Sequence, residues 1–217
     1  MNKVDFTKRL IIIGCGGHSK MATEIALDMG LNKINYFDST EIEKILISNL
    51  KTKEINEKYN DYFFVAIGDN YTREQVFEKF LIQHPNAKPI NLIHKSSNIS
   101  PESRIGVGTI IMPLSAINIS SKIGKGVIIN TSSSVDHDNK IKNFSSIAPG
   151  VHLGGNVTIG SRTAISIGAT IKHKVTIGND VLVGAASLVL SDISDNLVVY
   201  GAPARKIKKR KNDEKYL

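Results

Sequence analysis

Residues 123–153 read IGKGVI-INTSSS-VDHDNK-IKNFSS-IAPGVH-L, an aliphatic side chain opening every block of six. The step holds well beyond this window. Ile99, Ile105, Ile111, Ile117, Ile123, Ile129, Val135, Ile141, Ile147, Leu153, Ile159, Ile165, Ile171, Ile177, Val183 and Val189 occupy every sixth position without a miss. Four residues after the anchors the side chain is nearly always small or β-branched, as at Thr109, Ser121, Val127, Ser145, Val157 and Thr163. A period of six suits neither a helix nor an amphipathic strand, but it suits a chain that turns a corner after each short strand and stacks its coils. The expectation is a parallel β-helix over residues 97–194. Three hexads make one turn, so residues eighteen apart stack at about 4.8 Å. Because the anchors fill the interior, any chemistry must lie on the outer faces or the corners.

Upstream the pattern changes. Leu10–Ile13 reads as a short buried strand and runs into Gly14-Cys15-Gly16-Gly17-His18-Ser19-Lys20. Residues 21–29 have helical spacing with Gly30 as a stop. Strand candidates follow at Lys33–Phe37, which ends in Asp38, and at Asp61–Ile67, which ends in Gly68-Asp69-Asn70. A helix over Tyr71–Gln83 and a strand at Pro89–Ile93 complete the region. Strands alternating with helices imply a small Rossmann-like α/β domain over residues 1–96, leaving 195–217 as a C-terminal segment with a basic tail. In such sheets ligands bind at the carboxyl ends of the strands. That selects Gly14, Gly16, Gly17, His18, Ser19, Asp38, Gly68 and Asn70 as candidate substrate contacts. The glycine loop can bring backbone N–H groups and a helix N-terminus to a phosphate, with His18 and Ser19 as donors beside it. The third position of the dinucleotide fingerprint is Ser19 rather than glycine, which points away from NAD and towards a mononucleotide or a nucleotide-sugar diphosphate. A tight strand-to-helix turn with no ligand has the same sequence. Lys20 and Arg73 are either added positive charge or ordinary surface.

The chain has 217 residues and a formal charge of +8, much of it in the run Arg205, Lys206, Lys208, Lys209, Arg210 and Lys211. This balance calls for an anionic partner. The sequence has no tryptophan, and no stacking platform, helix-turn-helix or zinc spacing is visible, so phosphorylated small ligands are favoured over nucleic acid. The single cysteine, Cys15, excludes an internal disulfide framework and suits a reducing compartment. No stretch resembles a signal peptide or a membrane span, so a cytoplasmic protein without membrane insertion is expected.

The hexad register places the histidines. His137 is third in its hexad, between Asp136 and Asp138; Gly155 stands one coil further in the same column and His173 two coils further. Two coils separate His137 from His173 by about 9.6 Å, whereas nitrogens sharing one zinc lie within about 4 Å of each other. One chain therefore cannot join them through a metal, and no metal is expected. A neighbouring carboxylate can orient His137 and keep it basic. At about 4.8 Å along the column, the backbone N–H of Gly155 could face a carbonyl held between the two. A solvated corner histidine has the same sequence.

Taken together, the unbroken hexapeptide repeat, the opening Ile11-Ile12-Ile13-Gly14-Cys15-Gly16-Gly17-His18-Ser19-Lys20, the segment Val135-Asp136-His137-Asp138 and the closing Tyr200-Gly201-Ala202-Pro203-Ala204-Arg205 resemble the bacterial acetyl-CoA-dependent sugar acetyltransferases. These include sialic-acid O-acetyltransferases and nucleotide-4-amino-sugar N-acetyltransferases. The resemblance spans nearly the whole chain. It implies a left-handed coil, a homotrimer, and acetyl-CoA bound between coils. It implies that His137 is the general base assisted by Asp138, that Asn130 lies near the acceptor or the base, and that the Gly155 N–H faces the thioester carbonyl. Ile167 and Ala185 would line the pantetheine groove, with Gly201, Pro203 and Lys206 near the adenine end. The N-terminal loop would hold a nucleotide-sugar, expected as UDP-linked, with Asp38 and Asn70 near the nucleoside. N-acetylation of a sugar amine is the expected reaction. O-acetylation of a sialic-acid-like sugar is the alternative, and a non-catalytic trimeric scaffold the alternative of another class.

Overall fold

The computed structural model describes residues 4–37 and 61–216. Asp38 lies outside them. The N-terminal unit is built on β1 (Leu10–Ile13), flanked by β2 (Ile34–Phe37) and β3 (Tyr62–Val65), with β4 (Lys88–Pro89) beyond β3, all parallel in the order β2-β1-β3-β4. All four residues of β1 are buried because both its faces are covered. Leu10 and Ile12 pack with Ala22, Ile25 and Ala26 of α1 (Gly17–Asp28), while Ile11 and Ile13 pack with Phe77 and Phe80 of α2 (Asn70–Gln83). The helix α1 ends where Gly30 adopts φ +91°, a conformation that costs glycine little. The helix α2 starts at Asp69, whose carboxylate accepts from the Thr72 N–H at 2.9 Å.

From β5 (Leu92–Ile93) to β21 (Leu188–Val189) the chain is a left-handed parallel β-helix of two-residue strands joined by corners. Three faces result. One carries β6, β9, β12, β15, β18 and β21, a second β7, β10, β13, β16 and β19, and a third β5, β8, β11, β14, β17 and β20. Strands pair with the strand eighteen residues on, as Val135 with Leu153 and Ile147 with Ile165. The anchor side chains point inward and form one continuous core from Ile111 to Val189, each contributing about 1.5–3 kcal/mol of burial. The last corner residue before each new hexad's final pair recurs with positive φ, including Leu114, Ser132, Asp138, Phe144 and Asn156, as the third residue of a type II turn requires.

The coil starts one hexad earlier than its anchors suggest, because Leu92 pairs with Ile110 of the next turn rather than with the N-terminal sheet. Two outward-facing coil residues, Ile110 and Ile128, are buried against the α1 side of the N-terminal unit, and Phe144 enters its α2 side, 5.4 Å from Phe77. The basic run is no loose tail. Residues 197–201 form β22, which extends the third face beside β20, and β23 (Ala204–Lys209) returns antiparallel to it.

Candidate active site

His137 stands at the corner between the six-stranded and five-stranded faces, just after β12 (Ser134–Val135). Its backbone N–H donates to the Asp136 carboxylate at 2.8 Å, and that carboxylate also accepts from Asn118 Nδ2 at 3.0 Å. The Asp136 carbonyl accepts from Ser121 Oγ and from Asn139 Nδ2, both at 2.7 Å. The corner is thus fixed from below and from within. The imidazole itself is exposed, and its Nδ1 lies 2.8 Å from Asp138 Oδ2. A carboxylate accepts only, so Nδ1 carries the proton in the neutral ring and Nε2 keeps its lone pair. The hydrogen bond to Asp138, followed by the charge of Asp136, raises the His137 pKa above its ordinary value.

Nε2 faces the next coil at Gly155, where an added methyl group would lie 2.5 Å from it. The preceding Gly154 is equally constrained, since a side chain there would meet the backbone nitrogen of His173 at 2.7 Å. Having no side chain, Gly154 cannot cap the following N–H as Asp136 caps His137. Among the described residues nothing accepts from the Gly155 N–H. His137 Nε2 thus lies against Gly155, whose N–H has no acceptor among the described residues; in the neutral ring such a nitrogen can take a proton from a nucleophile, and such an N–H can donate to an oxyanion. His152 lies one strand away on the six-stranded face, bonded to Ser134 Oγ at 2.8 Å. The described residues hold no group of three or more metal-ligating side chains.

The remaining coil candidates lie elsewhere. Asn130, Ile167 and Ala185 occupy the corner between the eight-stranded and six-stranded faces, so the width of β12 and its face separates them from His137 within one chain. Asn130 Oδ1 is used locally, accepting from the Thr131 N–H at 2.7 Å. Ile167 is 61% exposed, an unusual position for an isoleucine. Gly201, Pro203 and Lys206 sit in the β22–β23 hairpin, where the Gly201 N–H donates to Ser187 Oγ at 3.2 Å.

In the N-terminal unit the glycine loop joins β1 to α1. Gly14 has φ +104° and packs on the Ala66 carbonyl, while open space surrounds Gly16 and Gly17. Two residues selected from the sequence are committed to the fold instead of facing this space. Ser19 is buried and its Oγ donates to the Gly16 carbonyl at 2.6 Å. Asn70 is buried, its Nδ2 reaching Ser146 Oγ and the Arg162 carbonyl on the coil. His18 has an Nε2 without a partner among the described residues. Burial, and then the charge of Arg73, lowers its pKa to about 4, so it can offer a neutral N–H but no positive charge.

Arg73 is not surface. It is fully buried and donates to the carbonyls of Ile67, Gly68, Gly126 and Phe144, at 2.7–2.9 Å, and to Asn70 Oδ1 at 2.6 Å. It thereby ties the Gly68 turn to the coil. Tyr216 closes the same junction, its hydroxyl donating to the Gly68 carbonyl at 3.2 Å with Arg210 over its ring. An isolated arginine on a helix and a tyrosine in a basic tail carry no sequence signal for such burial.

Residues 9–80 match the family model described as the PglD N-terminal domain. The chain is similar to perosamine N-acetyltransferase from Caulobacter crescentus, solved as a histidine-to-asparagine variant in complex with CoA and GDP-perosamine. The TM-score is 0.86 and the identity 32%, covering 93% of this chain and 97% of that one. It is similar also to the acetyltransferase domain of PglB from Neisseria gonorrhoeae in complex with acetyl coenzyme A, with a TM-score of 0.86, 31% identity, and coverage of 92% and 99%. An uncharacterized protein of Acanthamoeba polyphaga mimivirus is 31% identical over 103 residues. That match takes in 46% of this chain and only 20% of the viral protein's length.

Proposed function

Since the chain belongs to the bacterial hexapeptide-repeat sugar acetyltransferases, we propose that it transfers the acetyl group of acetyl-CoA to the 4-amine of a nucleoside-diphosphate amino-sugar. The observation that carries this reading is the approach of His137 Nε2 to Gly155 across one coil spacing, where the Gly155 N–H has no acceptor among the described residues. The amine attacks the thioester carbonyl while its proton passes to Nε2, held in the correct tautomer by Asp138. The developing oxyanion accepts from the Gly155 N–H. The C–S bond then breaks, CoA leaves as thiolate and is protonated, and the acetamide remains on the sugar, with no acyl-enzyme. The bound CoA and GDP-perosamine of the Caulobacter relative support both substrates. UDP was the nucleotide expected from the sequence, so the base is decided by assaying UDP- and GDP-linked 4-amino-sugars side by side.

The separation of the two corner sets supports a homotrimer. Within one chain the His137 corner and the Ile167 corner flank the same face from opposite edges. A cyclic threefold arrangement brings one protomer's His137 corner to its neighbour's Ile167 corner, forming a cleft in which pantetheine reaches the base. The solution mass is then three times the 23.7 kDa chain.

The test is acetyl-CoA turnover with a nucleotide-amino-sugar, followed by thiol release and product mass. His137→Ala lowers kcat by about 10²- to 10⁴-fold. A rate near wild type removes His137 from the mechanism, and turnover only with a hydroxyl acceptor replaces the amine with an O-acetylation substrate.

A further inference from the structure

One coil breaks the repeat's own rule. Four residues after the anchors from Ile99 to Val183 the fold places Ser, Thr, Val or Ala, except after Val135, where it places Asn139, which is fully buried. This is the hexad that carries His137. In four hexads the interior hydroxyl reaches forward one turn: Thr109 Oγ1 donates to the Gly124 carbonyl, Ser115 Oγ to Asn130, Ser121 Oγ to Asp136 and Thr163 Oγ1 to Gly178, at 2.6–3.0 Å. In the hexads on either side of His137 it donates back three residues instead, Ser133 Oγ to the Asn130 carbonyl at 2.6 Å and Ser145 Oγ to Lys142 at 2.7 Å. The equivalent target for residue 139 is the carbonyl of Gly154, which belongs to the same peptide group as the Gly155 N–H.

Asn139 combines two contacts that the hydroxyls divide between them: the backward donation of Ser133 and Ser145, and the acceptance from the next coil made by Thr109, Ser121 and Thr163. Its Nδ2 donates backward to the Asp136 carbonyl at 2.7 Å, and its Oδ1 accepts from the Val157 N–H at 2.6 Å. The first contact grips the peptide from which His137 projects. The second grips the next coil two residues beyond Gly155. Its own N–H donates to Ser121 Oγ at 3.2 Å. A single planar amide thus spans the two coils whose corners form the catalytic opening, while the Gly154–Gly155 peptide is left without an interior donor.

We propose that Asn139 is a positioning residue that sets the gap between His137 Nε2 and the Gly155 N–H, an inference that rests on the catalytic reading above. A serine at 139 either donates forward, as Ser121 does, and claims the Gly154 carbonyl, or donates backward, as Ser133 does, and releases the next coil; in both cases the peptide that presents the oxyanion donor loses its fixed place. Misplacing reacting groups by a fraction of an ångström is costly to rate and almost invisible to ground-state binding.

The experiment compares Asn139→Ser and Asn139→Val with wild type, since both replacements are residues the fold already uses at this position. His137→Ala is run in parallel. Expected is a fall in kcat of about 10- to 100-fold, with KM for both substrates within about twofold and an acidic limb of the pH profile where wild type has it; the valine, which leaves the Val157 N–H without its acceptor, also lowers the melting temperature. A purely structural residue would move the melting temperature and leave kcat alone. The proposal is overturned by kcat within twofold of wild type in either variant, or by a displaced acidic limb. If His137→Ala is fully active, both this proposal and the catalytic reading fall; if His137→Ala is inactive and both Asn139 variants are active, only this proposal falls.

Discussion

At His137 the protonation state decides whether the corner can accept a proton. The Asp138 hydrogen bond, with Asp136 behind it, stabilises the imidazolium and lifts the pKa above the ordinary 6.5. The basic form therefore grows in only as pH rises past that raised value, and kcat/KM should show an acidic limb above 6.5. Asp138→Asn removes the charge while keeping an acceptor, so the limb should move to lower pH and the plateau rate should fall with the loss of imidazolium stabilisation. An unmoved limb in a pH-rate profile would show that Asp138 does not tune this ring. The same shift favours the folded state only below the limb, where the imidazole is charged in both states or in the folded one alone. Above the limb the pair has little stability to offer, consistent with a role in chemistry. This pair and its stacking on Gly155 could be read from the sequence because a strict period converts sequence distance into spatial columns. The tautomer could not, since it depends on which carboxylate oxygen meets which ring nitrogen.

Among the elements, α2 is the one most dependent on contacts that no local pattern encodes. Arg73 is separated by 53 residues from Gly126 and by 71 from Phe144, yet its guanidinium satisfies carbonyls on both and on the Gly68 turn. Burial lowers its pKa to about 10, so it is still charged at neutral pH. Further along the helix, Glu74 meets Arg162 at 2.9 Å, which is itself held by Asp180, and Glu78 meets Lys125. Arg73→Met should cost roughly 3 kcal/mol or more, because several buried carbonyls lose their donor together. Arg73→Lys should recover little, since one ammonium cannot reach three directions. Chemical denaturation midpoints measure both, and a loss below about 1 kcal/mol would reduce Arg73 to the surface charge its sequence suggests. The strands and helices of this unit follow from composition and spacing, with α2 and β1 to β3 within two residues of their expected bounds, whereas α1 starts at Gly17, four residues before the expected residue 21. The split of residues 88–93 between two sheets does not, because a short apolar run says nothing about which neighbour it will pair with. Nor does the return of β23 onto β22, where the lysines and arginines read as solvated although their backbone is paired.

For the whole molecule, the proposed threefold arrangement would make catalysis a property of neighbouring chains. Equal mixtures of His137→Ala and Ile167→Glu protomers, each inactive alone, should regain about a quarter of wild-type turnover after subunit exchange, the fraction of interfaces that combine an intact base corner with an intact groove corner. Ile167 is exposed within one chain, so its substitution spares the fold. No recovery in a mixture shown by mass to contain hybrid trimers would place both sets in one protomer's own cleft. The pairing of each strand with the one eighteen residues on has a consequence for how such a molecule can change in length. Gaining or losing a full turn adds or removes a storey and leaves every corner column vertical. Gaining or losing a single hexad rotates everything downstream by one face, so that residues meant for the groove would open onto the wrong neighbour. Length in this architecture is therefore quantised, and an ancestral coil could lengthen or shorten between His137 and the groove residues only in whole storeys without parting the base from the chain it serves.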